Sequence, residues 1–376
     1  MAADRGKPYR CHAAVQSTSG VNAVFSGHRY RLYGRPICRS IRSTGLVPYA
    51  CRLCGIFGVG LPFASTLISF TKDDDPENPF GSNGKVMIIG AGVGGLSAGY
   101  FLNKKGIDFE ILEASEQHGG RIRINTDFAD FPIPLGAEWI ETDLGIFDEI
   151  VNDPSINVNV QTFADAPDYK FLNGSWFNFF EQYIIPSIAN KISYNTIVQS
   201  IDYSGEKVVV NTQIGQKTAD KVIISVPVQI LKDGDIAFSP NLPQSKINAI
   251  NNVQIWEGFK AFFEFSTNFY GDGQEFTINP PSVGEKLYYD ATFGQNSNKN
   301  ILGLFVVGTP AQDYIPRTGD DLKSFILAEL DTIFSNQATP NYVNHIVQNW
   351  NNEPFIKSGY ISDDSDWQVI RELGKS

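Results

Sequence analysis

The feature that most constrains this 376-residue chain begins at Lys85. Lys85–Ile89, KVMII, is a short apolar run rich in β-branched residues and reads as a strand buried on both faces. Gly90-Ala91-Gly92-Val93-Gly94-Gly95 follows without a gap. Leu96–Lys105 then carries Leu96, Tyr100 and Phe101 at helical spacing, Gly106 ends the helix, and Asp108–Leu112 is a second strand leading to Glu113. Gly90, Gly92 and Gly95 fit G-x-G-x-x-G. The first permits a tight turn, the second lets a diphosphate approach the backbone, and the third lets the helix pack close to the strand. The N–H groups and dipole at the helix start favour phosphate. Glu113, 23 positions after Gly90, is placed to accept bonds from ribose hydroxyls. A glycine-rich turn that binds nothing is the alternative. Strand, glycines, helix, strand and acid in this order instead predict a dinucleotide-binding unit.

That unit alone does not choose between nucleotides. Glu113-Ala114 is followed by Gly119-Gly120-Arg121 and then Arg123. Two more glycines bring backbone close to the ligand again, and an arginine can neutralise a diphosphate. Here the chain resembles the flavin-containing amine oxidase family, which includes polyamine oxidases, monoamine oxidases and L-amino-acid oxidases. The resemblance continues in order along the chain. Leu135-Gly136-Ala137-Glu138-Trp139-Ile140-Glu141 is similar to the family's segment beside the flavin ring. Val198-Gln199-Ser200-Ile201 resembles its V-x-x-I strand, Lys221–Leu231 its VI-x-x-x-P strand and turn, and Phe238–Pro243 its F-x-P-x-L-P. Lys260, Phe265, Phe269 and Tyr270 resemble K-x4-F-x3-F-W, and Trp350-x3-Pro354-Phe355-x3-Gly359-Tyr360 resembles W-x3-PF-x3-GxY.

The resemblance implies a cofactor, FAD, and a set of roles. Gly90, Gly92, Gly95, Glu113, Ala114, Gly120, Arg121, Gly136, Ala137, Glu138, Trp139 and Val198 are the cofactor-binding candidates. Lys260, Tyr360, Glu141 and Trp139 are the catalytic candidates. Lys260 would hold a water near flavin N5. Its apolar neighbourhood, AFFEF, is a costly place for an idle lysine, and a strand-end lysine reaching for solvent is the alternative. Glu141 would attract a distal ammonium along the substrate path, or be an exposed loop acid. Trp139 would line the same path, or simply pack. Tyr360 would form one wall of an aromatic cage that steers the amine. Gly359 stands where monoamine oxidases carry a flavin-linked cysteine, and the four cysteines (Cys11, Cys38, Cys51, Cys54) all precede residue 55. The flavin is therefore expected to be non-covalent.

Charge and histidine content narrow the alternatives. Residues 1–52 hold nine Lys and Arg against one acid, while the remainder holds 21 against 40. The acidic remainder argues against nucleic acid as a partner and is compatible with cationic substrates. After residue 84 the only histidines are His118 and His345, too few for a histidine-built metal site. Cys51-Arg-Leu-Cys54 with Cys11, Cys38, His12 or His28 lacks the second close pair of a structural zinc site, so no metal is expected.

The basic stretch is followed by Leu53–Phe70, 18 residues without a charge, and then by Asp73-Asp74-Asp75-Pro76. That order resembles an export leader. A membrane anchor or a transit peptide is the alternative, so any membrane association is confined to residues 53–70. Export or membrane association is the expected location, with an organelle or the cytoplasm as the alternative. Residues 1–84 are expected to stand outside the fold, with 76–84 a linker.

The predicted architecture is α/β. An FAD-binding Rossmann-type (FAD/NAD(P)-binding) domain spans residues 85–145, 190–256 and 352–376. A discontinuous α+β substrate domain spans 146–189 and 257–351. Within the latter, 260–265, 286–293 and 301–307 read as strands, 320–334 as an amphipathic helix, and 172–191 as a compact helical piece. Two departures from the family stand out. Its closing F-A-G-E segment and flavin-facing helix would begin near Ser376, which implies a fragment or a truncated chain. Glu141 and Val198 are only 57 positions apart, where family members have a longer helical region. The expected function is oxidation of an amine, polyamines ahead of others, to an imine, with O2 reduced to H2O2. The alternatives are a desaturase or protoporphyrinogen-oxidase-like enzyme, and a non-catalytic nucleotide-binding remnant. The small-molecule partners expected are an amine and O2.

Overall fold

The computed structural model describes residues 68–70, 84–151, 153, 156–162, 169–272, 275–277, 284–362 and 365–374. Cys11, Cys38, Cys51, Cys54, His12, His28, residues 53–67 of the apolar run and nearly all of the linker lie outside them.

Lys85–Ile89 sits in the middle of a five-stranded sheet because it is apolar on both faces: Val86, Met87, Ile88 and Ile89 are all buried. Lys221–Ile224 and Asp108–Leu112 flank it in parallel, and Ile192–Ser193 continues the sheet beyond Asp108–Leu112. Ile68–Phe70 closes the other edge, antiparallel to Lys221–Ile224. This strand departs from the expectation that all of residues 1–84 stand outside the fold. Ile68, Ser69 and Phe70 are the last three residues of the apolar run, and they take the unpaired edge of Lys221–Ile224.

The helix Val93–Lys104 crosses between the first two parallel strands and stops before Gly106, whose φ of 68° suits glycine. Small residues let it lie close. A Cβ on Gly95 would stand 1.9 Å from the Gly90 carbonyl oxygen, and one on Gly99 2.8 Å from Ile111 Cδ1. A second sheet, ordered 215–219, 208–212, 198–202 and 237–239, stands beside the first.

The third sheet, of five strands, is antiparallel, ordered Glu275–Thr277, Gly284–Asp290, Asn300–Gly308, Gly258–Phe265 and Tyr342–Asn349. The strand Gly258–Phe265, paired on both sides, shows the two-residue period of a pleated sheet. Phe259, Ala261, Phe263 and Phe265 join the core that contains Leu322, Ile326 and Leu330 of the helix Gly319–Ile333. Phe262 faces the opposite way, into a core with Phe128, Phe131, Ile133 and Tyr289. Lys260 shares that second face. The strand expected to reach residue 293 ends at Asp290, where Thr292 N and Oγ1 both donate to the Asp290 carboxylate and turn the chain.

Residues 172–191 are helical in pieces: Trp176–Tyr183, Ile185–Ile188 and a short turn Ala189–Lys191. Ser175 caps the first, its Oγ accepting from Asn178 N at 3.2 Å. Just before it, Tyr169–Phe171 pairs with Val160–Thr162, and Tyr169 bridges to Ile140. This ladder brings residue 170 alongside the Gly136–Ile140 segment.

Two outcomes follow. Gly95→Ala drives a methyl into a backbone oxygen and is expected to lower stability by about 1–3 kcal/mol, read as a lower thermal midpoint. The Glu110 carboxyl is pushed up by burial but held at about 2, against an ordinary 4.5, by Lys217, Lys85 and Ser193. A depressed acid stabilises the fold above pH 4.5, and this contribution fades as pH falls towards 2. The thermal midpoint of Glu110→Gln is expected to fall less steeply than wild type across that window.

Candidate functional site: a dinucleotide cradle beside a buried lysine

A cavity of about 380 Å³ opens at the carboxyl ends of the parallel strands, the place where sheets of this kind take ligands. Gly90, Gly92, Glu113, Ala114, Gly120, Arg121 and Val198 all line it. Gly95 does not, because its role is helix packing. Gly136, Ala137, Glu138 and Trp139 do not line it either.

Its residues suit a dinucleotide diphosphate on four counts. A Cβ on Gly92, at the helix start, would meet nothing within 4 Å, so open space lies where a phosphate would approach. The Glu113 carboxylate accepts from Ala91 N at 2.6 Å and from Ser115 N and Oγ at 2.9 and 2.7 Å. These bonds fix it while leaving acceptor capacity for hydroxyls. Arg121 keeps part of its surface on the cavity, yet burial alone draws its pKa down to about 10. Its guanidinium donates to Gly359 O at 2.8 Å, and no carboxylate among the described residues pairs with it. An anion is what this cation lacks. Finally, Ser225 lines the cavity with a buried Oγ that has no partner among the described residues. A buried hydroxyl left unbonded is costly, and a ligand atom would satisfy it.

A bond network leads from this cavity to the predicted lysine. Arg123 donates to Glu353 at 2.8 Å and so ties the Gly119-Gly120-Arg121 turn to the segment holding Gly359 and Tyr360. A Cβ on Gly136 would stand 1.9 Å from Arg121 O and 3.0 Å from the Trp350 ring, so that contact admits only glycine. Lys260 Nζ donates to Gly136 O at 3.1 Å, to Pro134 O at 3.2 Å and to Glu138 Oε2 at 2.8 Å. The rings of Trp139, Phe262 and Tyr289 surround it at 5.1–5.3 Å. Lys260 is 2% exposed and Glu138 5%, so the lysine does not reach for solvent.

Two partners that the sequence reading missed complete this cluster. Lys170 Nζ pairs with Glu138 Oε1 at 2.9 Å and is also only 2% exposed. The Tyr289 hydroxyl donates to Glu138 Oε2. Burial pushes the Glu138 carboxyl up, but the charges of Lys170 and Lys260 outweigh it and hold the group at about 2. Burial raises the Tyr289 phenol well above its ordinary value, and the neighbouring Glu138 charge raises it further. Nothing in DYKFLNG signals a buried lysine. The cross-strand bridge from Tyr169 to Ile140 brings Lys170 to Glu138.

The remaining candidates lie nearby without joining the cluster. Tyr360 pairs with Trp256 across a two-stranded ladder, ring centroids 6.3 Å apart and nearly parallel. Glu141 is half-buried, just beyond Ile140. Gly359 packs back to back with Gly258: a Cβ on Gly359 would stand 2.3 Å from the Gly258 Cα. No side chain fits there, which accords with a flavin held without a covalent bond. Among the described residues no group of His, Cys, Asp and Glu could hold a metal ion, and no helix is long and apolar enough to cross a membrane.

Fold and cavity together define a dinucleotide-binding protein with a Rossmann-like unit. The model of the NAD(P)-binding Rossmann-like domain matches residues 88–152, and that of flavin containing amine oxidoreductases matches residues 180–372. The chain belongs to the flavin-containing amine oxidoreductase family, and FAD is its cofactor. It is 31% identical over 170 residues to mouse lysine-specific histone demethylase 1B, a stretch covering 43% of this chain and 20% of that protein. It is 21% identical over 390 residues to polyamine oxidase 2 of Arabidopsis thaliana, covering 74% of this chain and 78% of that one. The chain thus spans about a fifth of the demethylase and most of the oxidase. Putrescine oxidase in its wild-type form bound to putrescine is similar in fold, with a TM-score of 0.61 at 15% identity, covering 77% of this chain and 89% of that one.

Gly92→Ala separates binding from folding. The new methyl meets no protein atom, so the thermal midpoint of the apoprotein is expected to stay within a degree or two of wild type, roughly the span of a neutral substitution. FAD uptake, read by absorbance after gel filtration, is expected to fall at least about tenfold, because the methyl occupies the path of the diphosphate.

Proposed function

We propose that this chain is an FAD-dependent amine oxidase that takes polyamine-like amines and passes their electrons to O2. The carrying observation is the short path from the dinucleotide cradle to the buried Lys260: Ala137 N donates to Arg121 O at 3.0 Å, and Lys260 Nζ donates to the adjoining Gly136 O at 3.1 Å. Amine plus O2 yields imine plus H2O2, and the imine then hydrolyses. FAD, when bound, supplies the acceptor for the hydride leaving the carbon that bears the amine.

The chain's own residues have simpler tasks. Gly92, Glu113, Arg121 and Ser225 bind and orient the cofactor. The Trp139, Phe262 and Tyr289 rings keep bulk solvent from the space around Lys260. In that low-dielectric setting a lysine gives up its proton more readily than in water. Tyr360 and Trp256 offer flat apolar faces suited to an amine's alkyl chain, and Glu141 offers a carboxylate for a second ammonium. The named relatives include both polyamine oxidases and histone demethylases, so amines with a second cationic group lead the substrate classes to be tried.

The test begins with the colour of the purified chain. A yellow preparation with a flavin spectrum, bleached under anaerobic spermidine and recoloured by air with release of peroxide, is the expected result. Benzylamine and an L-amino acid serve as comparisons and should react at least about tenfold more slowly. A folded preparation that takes up no added FAD, or one that is yellow but never bleached by any amine, would overturn the proposal.

A further inference from the structure

Lys170 occupies a place that nothing in the amine oxidase reading calls for. It comes from the strand Tyr169–Phe171, in the short segment between Glu141 and Val198. Its ammonium lies 2.9 Å from Glu138 Oε1, while Lys260 lies 2.8 Å from Oε2 of the same carboxylate. Both lysines are 2% exposed, and both lie over the Tyr289 ring, at 5.4 and 5.3 Å from its centroid. One buried carboxylate therefore faces two buried ammonium groups. Two cations brought together on one carboxylate repel each other in such a setting, and loss of one ammonium proton relieves that repulsion.

We propose that Lys170 is a positioning residue for Lys260: by holding the far oxygen of Glu138 it fixes the shared carboxylate, and by standing as a second cation it makes the Lys260 ammonium readier to release its proton. The inference rests on the role given to Lys260 above.

The hydrogen bonds say why release matters. An ammonium has three N–H donors and no lone pair. Lys260 spends all three, on Pro134 O, Gly136 O and Glu138 Oε2. In that form it has nothing to offer a water. As a neutral amine it gains a lone pair and frees one protein acceptor, and a water can then bind between them. A water held by Lys260 thus requires the deprotonated form, and Lys170 promotes it.

The other groups facing the pocket do not supply this effect. The segment after Ile133–Pro134 contributes Glu138, which stabilises the Lys260 cation. The strand Gly284–Asp290 contributes the Tyr289 phenol, raised well above its ordinary value and so neutral, and Asp290, whose carboxylate is bonded by Thr292 and whose backbone oxygen accepts from Lys170 at 3.4 Å. Asn300–Gly308 presents the Phe305 ring to Trp139. Tyr342–Asn349 places the neutral Gln348 opposite Lys260, and its His345 stacks on Phe263, on the other face of the sheet. Burial lowers the Lys260 pKa first, Glu138 opposes this, and Lys170 adds to the lowering.

The experiment reads Lys260 directly and needs no bound flavin. Protein with 13Cε- and 15Nζ-labelled lysine is titrated by NMR, the Lys260 signal being assigned by its loss in Lys260→Met. In wild type, Lys260 should titrate at lower pH than the exposed lysines. In Lys170→Met and Lys170→Gln its titration should move to higher pH, while Lys170→Arg, which keeps the charge, should leave it in place. Near-UV circular dichroism checks that each variant keeps the native packing. Titration of wild-type Lys260 together with the exposed lysines overturns the inference even if no neutral variant folds. An unmoved Lys260 in a folded Lys170→Met or Lys170→Gln overturns it as well. Turnover of Lys260→Met separates the two layers. Unchanged turnover removes Lys260 from the reaction, whereas slowed turnover together with an unmoved titration defeats only the role given to Lys170.

Discussion

Three places where two stretches of backbone meet more closely than any side chain allows hold this site together. Gly95 lies against Gly90, Gly136 against Arg121, and Gly258 against Gly359. The first seats the helix on its strand and so aims the helix start at the cavity. The second locks the turn that carries Arg121 to the segment that carries Glu138. The third joins the strand Gly258–Phe265 of the antiparallel sheet, two residues before Lys260, to the segment bearing Tyr360. Each contact is set by sterics, so the distances between cradle, arginine and lysine are fixed before any ligand binds.

Around these contacts the charges divide into two unlike groups. Those at the cavity are incomplete. Among the described residues Arg121 has a carbonyl for a partner but no anion, and Ser225 has a hydroxyl with no partner. Those at Lys260 are buried and crowded, with two ammonium groups on one carboxylate. The first arrangement suits a ligand that brings negative charge and acceptors. The second suits a proton that must be held loosely. The proposed flavin oxidase of amines uses both, since its cofactor is a diphosphate ester and its lysine holds a water only when deprotonated.

What the sequence made legible depended on how local the constraint was. The strand, turn and helix from Lys85 to Glu113 were readable because each residue's task is met within some 30 positions: glycines at a turn, an acid at a strand end. Lys260 stood out because a lysine among AFFEF needs a reason to be there. The family resemblance marked Glu138, but as a flavin neighbour, and its lysine partners were hidden. Lys260 lies 122 positions away, and Lys170 sits in a stretch whose polar neighbours look solvated. Ser225 was equally silent, since an orphaned hydroxyl exists only once its surroundings are packed. The strand Ile68–Phe70 was hidden by the basic and apolar run before it, which reads as a leader.

The short segment between Glu141 and Val198 ties these points together. Family members are expected to spend a longer helical region here, and this chain spends a two-stranded ladder and a few helical turns instead. A reduced region ought to leave the space around the lysine more open to water. Yet Lys260, Glu138 and Lys170 are all buried. The ladder itself accounts for this, because pairing Tyr169 with Ile140 delivers Lys170 into the space and the Trp176–Tyr183 helix packs Trp176 and Phe179 behind it, with Trp176 Nε1 donating to Trp139 O at 3.1 Å. The segment thus leaves the lysine in dry surroundings. It does so with a strand that carries a charge, and that charge stands on the carboxylate Lys260 shares.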